Sequence, residues 1–362
     1  MRNTRITFTR LGLLMAFASP AFGNGITNLA LILPFSSGNE ALKARTVEYY
    51  EGVLLAVDSL RRTGMSLTLS VFDAGDGAKH TDSLILHGCL DQAQLIIGGM
   101  DDQIPLLANF SAQRGITYVI PFTPHNNNVL HLDNVFEVNT ANSQLYTRIV
   151  RAACNEFDDY SFLFIRTPDD REKTDLIRTF RLSAEAAHIP CQELTFEPTS
   201  FFHDLQSLTN HHHQKFLIIP SSSSLDALNL IRPALRALLL AGRNLTLFGY
   251  PDWQTFLPDS DDDLYLLNTC IYSSFYTDRF APALYRFYHL YHHFFGRNLI
   301  HSFPQYALLG FDTAFFFLAS GEPLQTGFRF ERPQTGNGGF INTHIFFVRF
   351  HSDFSVSRNL IP

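Results

Sequence analysis

Charge, long apolar runs and regularly spaced cysteines are all scarce in this chain. Only 17% of its 362 residues are charged, and they form no basic stripe, so a nucleic-acid partner is not expected. Beyond the first 23 residues, no stretch reaches about 18 uncharged apolar residues, so no membrane span is expected. Because 46% of the residues are hydrophobic, disorder is excluded and a soluble, packed protein is predicted.

Metal-ligand patterns are also missing. The cysteines contain no C-x-x-C pair, so structural zinc is not expected, and their spacing does not show which pair, if any, is oxidised. They are Cys89, Cys154, Cys191 and Cys270. The histidines at 211–213 and 292–293 are consecutive and point in different directions on regular structure. The acidic run 259–263 lacks the glycine and the distant glutamate of an EF-hand. We predict no metal and no cofactor.

Enzyme signatures are absent as well. A serine hydrolase of the α/β type would show G-x-S-x-G, which does not occur. The nearest approach to a dinucleotide fingerprint, "AGDGAKH", has His80 in place of the third glycine. There is no G-x-x-x-x-G-K-[ST] loop for a nucleotide phosphate. The prediction is therefore a protein that is not an enzyme and has no catalytic residue.

The first 23 residues have the layout of a secretory signal peptide. Arg2, Arg5 and Arg10 precede the apolar stretch "LGLLMAFA", and "SPAFG" supplies small residues for cleavage near Gly23. No cysteine follows that point, so a lipid anchor is not expected. Removing this segment leaves 24 basic and 34 acidic residues, a net charge of about −10. We predict a periplasmic protein.

What the chain does contain is an alternation of strands and helices that occurs twice. Continuous apolar runs such as "LALILPF" (29–35) predict strands buried on both faces. Between them lie helical patterns, with Asn39 expected to cap one helix and Gly115 to end another. Pro233 is predicted to divide the helical stretch 223–241 into two pieces. Two such rounds, without a linker, predict two similar α/β lobes with parallel sheets.

The last 85 residues differ from this alternation. Two aromatic helical stretches, "RFAPALYRFYHLYHHFFGRN" and "FPQYALLGFDTAFFFLASG", come first. The segments "GFRFER" and "GFINTHIFFVRF" follow, and "PQTGNGG" between them predicts a hairpin turn.

Six polar loops follow predicted strands, where open α/β sheets bind ligands. They are 35–40, 98–103, 122–128, 166–170, 220–224 and 249–256. Their hydroxyls and amides suit a small polar ligand, although the same residue types cap helices and form turns. In "FLIIPSSSSL", Ser223 or Ser224 is expected to cap the next helix. Trp253 is expected either to stack on a ligand or to pack within the protein.

The sequence resembles the type I periplasmic-binding-protein superfamily of leucine-binding proteins and receptor ligand-binding regions. The resemblance is carried in order by "YYEGVLLAVDSL", "LIIGGMDDQ", "VIPFTPHNNN", "LIIPSSSS", "LFGYPDWQTF" and "GFINTHIFFVRF". It is nearest to a bacterial envelope branch often fused to LysM repeats. The resemblance implies two Rossmann-like lobes joined by three crossover segments, near Thr140, Ser273 and Thr326. Lobe 1 would comprise residues 24–140 and 273–325, and lobe 2 residues 141–272 and 326–362.

The resemblance also implies a ligand between the lobes. Family members hold the carboxylate of an amino acid with hydroxyls and backbone amides, and its ammonium with an acid. The equivalent positions here are Ser36, Ser37 and Thr123 in lobe 1, and Ser221, Ser222 and Trp253 in lobe 2. Asp101 and Asp252 are the acids nearest the inferred cleft.

Two functions from different classes follow as hypotheses. The first is an exported, non-catalytic solute-binding protein that closes its lobes around an amino acid or short peptide for an inner-membrane transport or sensory partner. The alternative is an envelope interaction module without a small ligand that binds peptidoglycan or a cell-wall synthase. A cleft filled by the protein's own aromatic side chains would favour the alternative. An enzyme on this scaffold would require a strongly perturbed carboxylate or serine in the cleft.

Overall fold

The computed structural model describes residues 27–122, 129–168, 173–210, 214–255, 261–278, 280–319, 323–333 and 338–362. These residues form two lobes, each built on one seven-stranded sheet. The strands of the first sheet are β1 (Thr27–Leu33), β2 (Leu67–Asp73), β3 (Leu95–Gly98), β4 (Thr117–Ile120), β5 (Val135–Glu137), β11 (Phe330–Glu331) and β12 (Phe340–Asn342). Those of the second are β6 (Tyr160–Arg166), β7 (Cys191–Thr195), β8 (Lys215–Pro220), β9 (Asn244–Gly249), β10 (Cys270–Ser273), β13 (Phe346–Phe350) and β14 (Val356–Leu360).

The two sheets have matching strand orders and differ in the direction of the sixth strand, since β12 is parallel to β5 whereas β13 is antiparallel to β10. The first has the order β11-β12-β5-β4-β3-β1-β2 and the second β14-β13-β10-β9-β8-β6-β7. In each, five parallel strands are followed by late strands that include antiparallel pairs, β11 with β12 and β13 with both β10 and β14. The predicted α/β class and duplicated lobes are confirmed, and the sheets are mixed at one edge instead of wholly parallel.

Ten α-helices accompany the sheets in the described residues. They are α1 (Glu40–Arg62), α2 (Lys79–Leu86), α3 (Gln103–Arg114), α4 (Asn142–Glu156), α5 (Thr174–Ala186), α6 (Phe201–Leu208), α7 (Leu225–Leu240), α8 (Asp261–Leu266), α9 (Pro282–Phe295) and α10 (Tyr306–Ala319). The predicted caps are confirmed: Asn39 Oδ1 accepts a hydrogen bond from the Leu42 N–H at 3.1 Å, and Gly115 ends α3 with φ 66°.

The prediction that Pro233 divides a helix is wrong. Helix α7 runs continuously from Leu225 to Leu240 with Pro233 inside it. A proline removes one N–H donor and crowds the carbonyl four residues earlier. Ile231 and Leu235, on either side of the proline, are buried in the same core, so packing holds both halves on one axis.

The late helices pack against helix α1 of lobe 1. Leu284 of α9 and Leu308 of α10 share a buried cluster with Leu55 of α1. Helices α1 and α10 approach closely at glycines, because a Cβ on Gly52 or Gly310 would lie 1.9 or 2.1 Å from a carbonyl oxygen of the other helix. Glycine therefore sets the separation of these two helices.

The chain passes three times between the lobes. The first passage follows β5, and the second lies between Ser273 of β10 and Phe275, which packs in the lobe 1 core. The third follows β12. Strands β11 and β12 join the lobe 1 sheet, where β12 pairs in parallel with β5, so the chain crosses only between Asn342 and Ile345. The predicted cleavage near Gly23 lies outside the described residues.

Asn342 connects the first and third passages. Its Nδ2 donates to the carbonyls of Val138 (3.2 Å) and Gly327 (2.8 Å). Its Oδ1 accepts the N–H groups of Arg329 (2.9 Å) and His344 (3.1 Å). The side chain is 2% exposed, so these bonds are shielded from water and fix the hinge end of lobe 1.

Candidate functional site

In lobe 1, the two predicted serines after β1 interact with carboxylates after β2. The Ser36 N–H donates to Asp73 Oδ1 at 3.2 Å, and the Gly38 N–H donates to Asp76 Oδ2 at 3.0 Å. Burial raises the pKa of Asp73, but hydrogen bonds from Ser36 and the chain around it outweigh this and lower it overall. The pKa of Asp76 is lowered by the Gly38 N–H and the Ser37 hydroxyl. These serines therefore join two loops at the strand ends.

The other two predicted residues of lobe 1 are Asp101 and Thr123. Asp101 is exposed and has a left-handed backbone (φ 43°) just before α3. Thr123 lies outside the described residues. The sequence analysis missed Gln103, whose 1% exposed carboxamide donates to the carbonyls of Gly75 (3.1 Å) and Gly77 (3.0 Å). Gln103 thereby fixes the loop after β2 against the start of α3, and no sequence motif marks it.

In lobe 2, Ser221 joins the ends of two neighbouring strands. Its N–H donates to the Ile165 carbonyl at 2.8 Å, and its Oγ accepts the Thr167 N–H at 2.9 Å. The residue is 8% exposed. Because the hydroxyl satisfies a buried backbone donor, it contributes to the stability of this loop.

The next three serines start helix α7. Ser224 is its N-cap, as expected, and its Oγ accepts the Ala227 N–H at 3.1 Å. Ser222, 1% exposed, accepts the Ser224 N–H at 3.2 Å. The Ser223 hydroxyl donates to Asp252 at 3.5 Å, a long contact. The four serines thus form a folded turn, not a linker.

Trp253 lies in a short 3₁₀ helix, Pro251–Thr255, after β9. Its side chain is 0% exposed and its Nε1–H donates to the Ser223 carbonyl at 2.8 Å. The ring meets that of Tyr250 edge-on at 5.6 Å. In this conformation the indole packs within lobe 2, while Asp252 beside it is exposed. Whether any of the eight predicted residues binds a ligand stays a prediction.

A cavity of about 990 Å³ lies between the lobes beside the second passage. Gln254 and Phe350 of lobe 2 line one side, and His301 and Gln305 of lobe 1 line the other. None of the seven predicted residues that the structure describes is in its lining. Its volume is at the upper end of the range for small-ligand pockets. Sequence alone could not find it, because its walls come from segments that only the folded lobes bring together.

The cavity walls combine aromatic rings with a few charged groups. Tyr276, Tyr288 and Phe303 line it, together with the carboxylate of Asp278 and the guanidinium of Arg358. The Arg358 guanidinium lies 5.2 Å from the Tyr276 ring centroid. Aromatic surface with opposite charges can hold a ligand that is part apolar and part zwitterionic. Among the described residues, the rings leave this space open.

Among its described lining residues, the cavity contains no cluster of metal-binding side chains. Across the described ranges, no group of three or more histidine, cysteine or acidic residues could hold a metal ion. Burial raises the pKa of Asp312 to about 7, but this side chain is 1% exposed and does not line the cavity. Within the same described ranges, no helix is both long and apolar enough to cross a membrane.

Comparison with known proteins identifies the fold of this chain. No protein-family profile and no curated protein sequence matches the chain. Among solved structures, a putative branched-chain amino acid ABC transporter from Rhodospirillum rubrum is similar, with 16% identity, TM-score 0.56 and coverage of 92% of this chain and 96% of that one. Full-length LpoA from Haemophilus influenzae is also similar, with 11% identity, TM-score 0.58 and coverage of 93% of this chain and 59% of that one.

The LpoA C-domain from the same organism, described as a regulator of PBP1A, gives 11% identity and TM-score 0.56, with 92% of this chain and all (100%) of that chain covered. Substrate-binding proteins and LpoA share the two-lobed architecture found here. The chain therefore has the type I periplasmic-binding-protein fold. Identities this low show the fold and leave the function open.

Proposed function

We propose that this chain is an exported, non-catalytic binding protein that holds a small solute between its lobes. The cavity of about 990 Å³ between the lobes is the observation that carries the proposal. Its lining comes from both lobes and from the segment that follows the second passage, so a bound molecule would contact both lobes when they close. The fold likeness to substrate-binding proteins supports the same class.

The charges in the cavity support an amino acid or a short peptide as the solute. Arg358 offers a guanidinium for a carboxylate, and Asp278 offers a carboxylate for an ammonium group. The aromatic rings offer apolar surface for a side chain. An inner-membrane transport or sensory protein would then recognise the ligand-bound form.

Thermal unfolding with pools of amino acids, dipeptides and muropeptides tests the proposal. A ligand present at 100 times its Kd stabilises the folded state by about 2.7 kcal/mol. Arg358→Ala should reduce the shift from a carboxylate ligand, whereas Arg62→Ala, at an exposed helical ion pair with Asp58, should not. If no pool raises the unfolding temperature, the proposal is wrong. Fractionation with N-terminal sequencing tests export.

The alternative function is an envelope interaction module without a small ligand. The observation in its favour is that the predicted ligand-binding serines bind the protein itself: Ser221 binds Thr167, and Ser222 binds Ser224. The fold likeness to LpoA is compatible with this class. Co-sedimentation with purified peptidoglycan tests it: retention in the pellet, without a thermal shift from any solute, would support this alternative.

A further inference from the structure

A second cavity lies within lobe 2, apart from the cavity between the lobes. It has a volume of about 360 Å³ and opens between α5 and the strands β6 and β7. The two cavities share no lining residue. This volume is enough for a small organic molecule.

The floor of this cavity is apolar. Phe164 and Ile165 of β6 line it and are buried, with 3% and 0% of their surfaces exposed. Ile177 and Leu182 line it from α5, and Leu182 is 63% exposed. An exposed leucine beside a buried phenylalanine leaves apolar surface that a ligand could cover, which would be favourable in water.

The rim of the cavity carries arginines. Arg166, Arg178 and Arg181 line it, and Glu193 is the one acid among the described residues of the lining. Glu193 binds both Arg166, at 2.7 Å, and Arg181. Arg178 binds the carboxylate of Asp175 at 3.0 Å.

Arg181 is held in a fixed orientation. Its guanidinium carbon lies 5.3 Å from the Phe164 ring centroid, so the ring supports the charged group. In the described residues, Arg178 and Arg181 each bind a carboxylate through one terminal nitrogen. A guanidinium has five N–H donors, so both arginines keep donors that could bind another anion.

The cavity stays open because β7 is the edge of its sheet. No described strand pairs with its outer side, and Cys191, Gln192, Glu193 and Thr195 are exposed along it. Helix α5 covers β6 with Leu176 and Phe180 but leaves the arginines at the margin. The exposed Leu182 and the arginines therefore face one space that is accessible to water.

We infer that this cavity binds a small organic anion with an apolar tail. The carboxylate or phosphate group of the anion accepts hydrogen bonds from Arg178 and Arg181, and its tail covers Phe164 and Leu182. Guanidinium binds both kinds of anion well. The two cavities have separate linings, and Ser221, one of the serines predicted to bind a solute between the lobes, lines this one.

Isothermal titration of the full chain with octanoate, octyl phosphate, acetate and inorganic phosphate tests the inference. We expect saturable 1:1 binding of at least one octyl compound, at least ten-fold tighter than binding of its short counterpart. Each further buried methylene should tighten binding about four-fold. Which octyl compound binds more tightly identifies a carboxylate or a phosphate ester as the preferred head group.

Variants that should change the affinity for the anion in opposite directions make this test more specific. Arg181→Ala should weaken binding at least ten-fold, and Arg181→Lys should weaken it too, because lysine lacks the planar group that rests on Phe164. Glu193→Gln should tighten binding several-fold, because it removes the competing carboxylate. Arg62→Ala, on an exposed face of α1, should bind like the wild type.

Octyl compounds that both bind no more tightly than their short counterparts, unchanged affinity in folded Arg181→Ala, or no binding at all would each overturn the inference. If Arg181→Ala does not fold, Glu193→Gln still tests the inference. Weaker binding in that variant would contradict the proposed competition between the Glu193 carboxylate and the bound anion. Absence of a shift with amino acid pools would not affect this site, so the two proposals fail separately.

Discussion

Arg148 of α4 in lobe 2 and Glu331 of β11 in lobe 1 form an ion pair across the inter-lobe boundary, with Nη2 and Oε2 2.5 Å apart. Arg148 Nη1 also lies 3.4 Å from the Thr343 carbonyl in the third passage. Glu331 is partly buried, which raises its pKa, but Arg148 and Arg329 outweigh this and lower it. The pair therefore stabilises the present arrangement of the lobes next to the hinge.

Breaking this pair should loosen the lobes without unfolding them. Both side chains are partly exposed, 22% and 32%, so water screens the pair and its contribution should be about 1 kcal/mol or less. We expect Arg148→Ala and Glu331→Gln each to broaden the inter-lobe distance distribution measured by double electron–electron resonance between spin labels on α2 and α6. Arg62→Ala is the matched control. Distributions identical to wild type in both variants would show that the pair does not restrain the lobes.

Asp312 of α10 should make stability depend on pH. Its carboxylate accepts the N–H groups of Leu324 (2.6 Å), Gln325 (2.8 Å) and Thr326 (2.7 Å). Burial outweighs these bonds and raises its pKa from 3.8 to about 7. A folded-state pKa above the unfolded one stabilises the fold at low pH, and this contribution is lost as the pH rises from about 4 to about 7.

Urea unfolding of wild type and Asp312→Asn between pH 4.5 and 7.5 measures this contribution. Subtracting the two profiles removes groups that titrate equally in both proteins. The wild type should lose stability relative to the variant as the pH rises, whereas Asp58→Asn, at an exposed position on α1, should show no such trend. A flat difference profile would mean that Asp312 titrates near its ordinary pKa.

Gly327 should be intolerant of any side chain because His344 lies against it. An added Cβ would come within 2.0 Å of His344 Cδ2. Burial, followed by Arg329 and Arg358, lowers the pKa of His344 to about 4. Because the folded state favours the neutral imidazole, His344 contributes to the stability of the fold above about pH 6.5. This contribution is lost as the pH falls towards 4.

Gly327→Ala should displace the imidazole and cost about 1–3 kcal/mol. In the NMR titration, the pKa of His344 should move back towards 6.5 as the ring reaches water. Gly38→Ala is the control, since its Cβ would meet no atom nearer than 3.8 Å. An unshifted His344 titration in the folded variant would show that the ring had not moved.

Ser221→Ala should destabilise lobe 2. It leaves the buried Thr167 N–H without its 2.9 Å acceptor, and an unsatisfied buried donor costs about 1–3 kcal/mol. Ser224→Ala should cost about 1 kcal/mol through loss of the α7 cap. Denaturant unfolding measures both. If Ser221→Ala is as stable as wild type but loses solute affinity, the predicted ligand role would hold in place of the structural one.

The resemblance placed the binding residues at strand ends, and the structure puts several of them in local hydrogen bonds. Ser224 as the helix cap was predictable, because a cap depends on residues three positions apart. The packing of Trp253 was not, because its hydrogen-bond partner Ser223 is 30 residues away in sequence. The cavity lined by Gln254 and His301 was also not predictable, since no local pattern links those segments.

The sequence by itself determined the α/β class, the two rounds of strands and helices and the helix ends at Asn39 and Gly115, because periodicity and capping depend on near neighbours. Only the tertiary structure decided that β12 joins the lobe 1 sheet, that α7 continues through Pro233 and that Arg148 meets Glu331. Those outcomes depend on long-range pairing and packing. The pattern of an aromatic strand is compatible with either sheet. The neighbouring strand and core that bury it determine which sheet it joins.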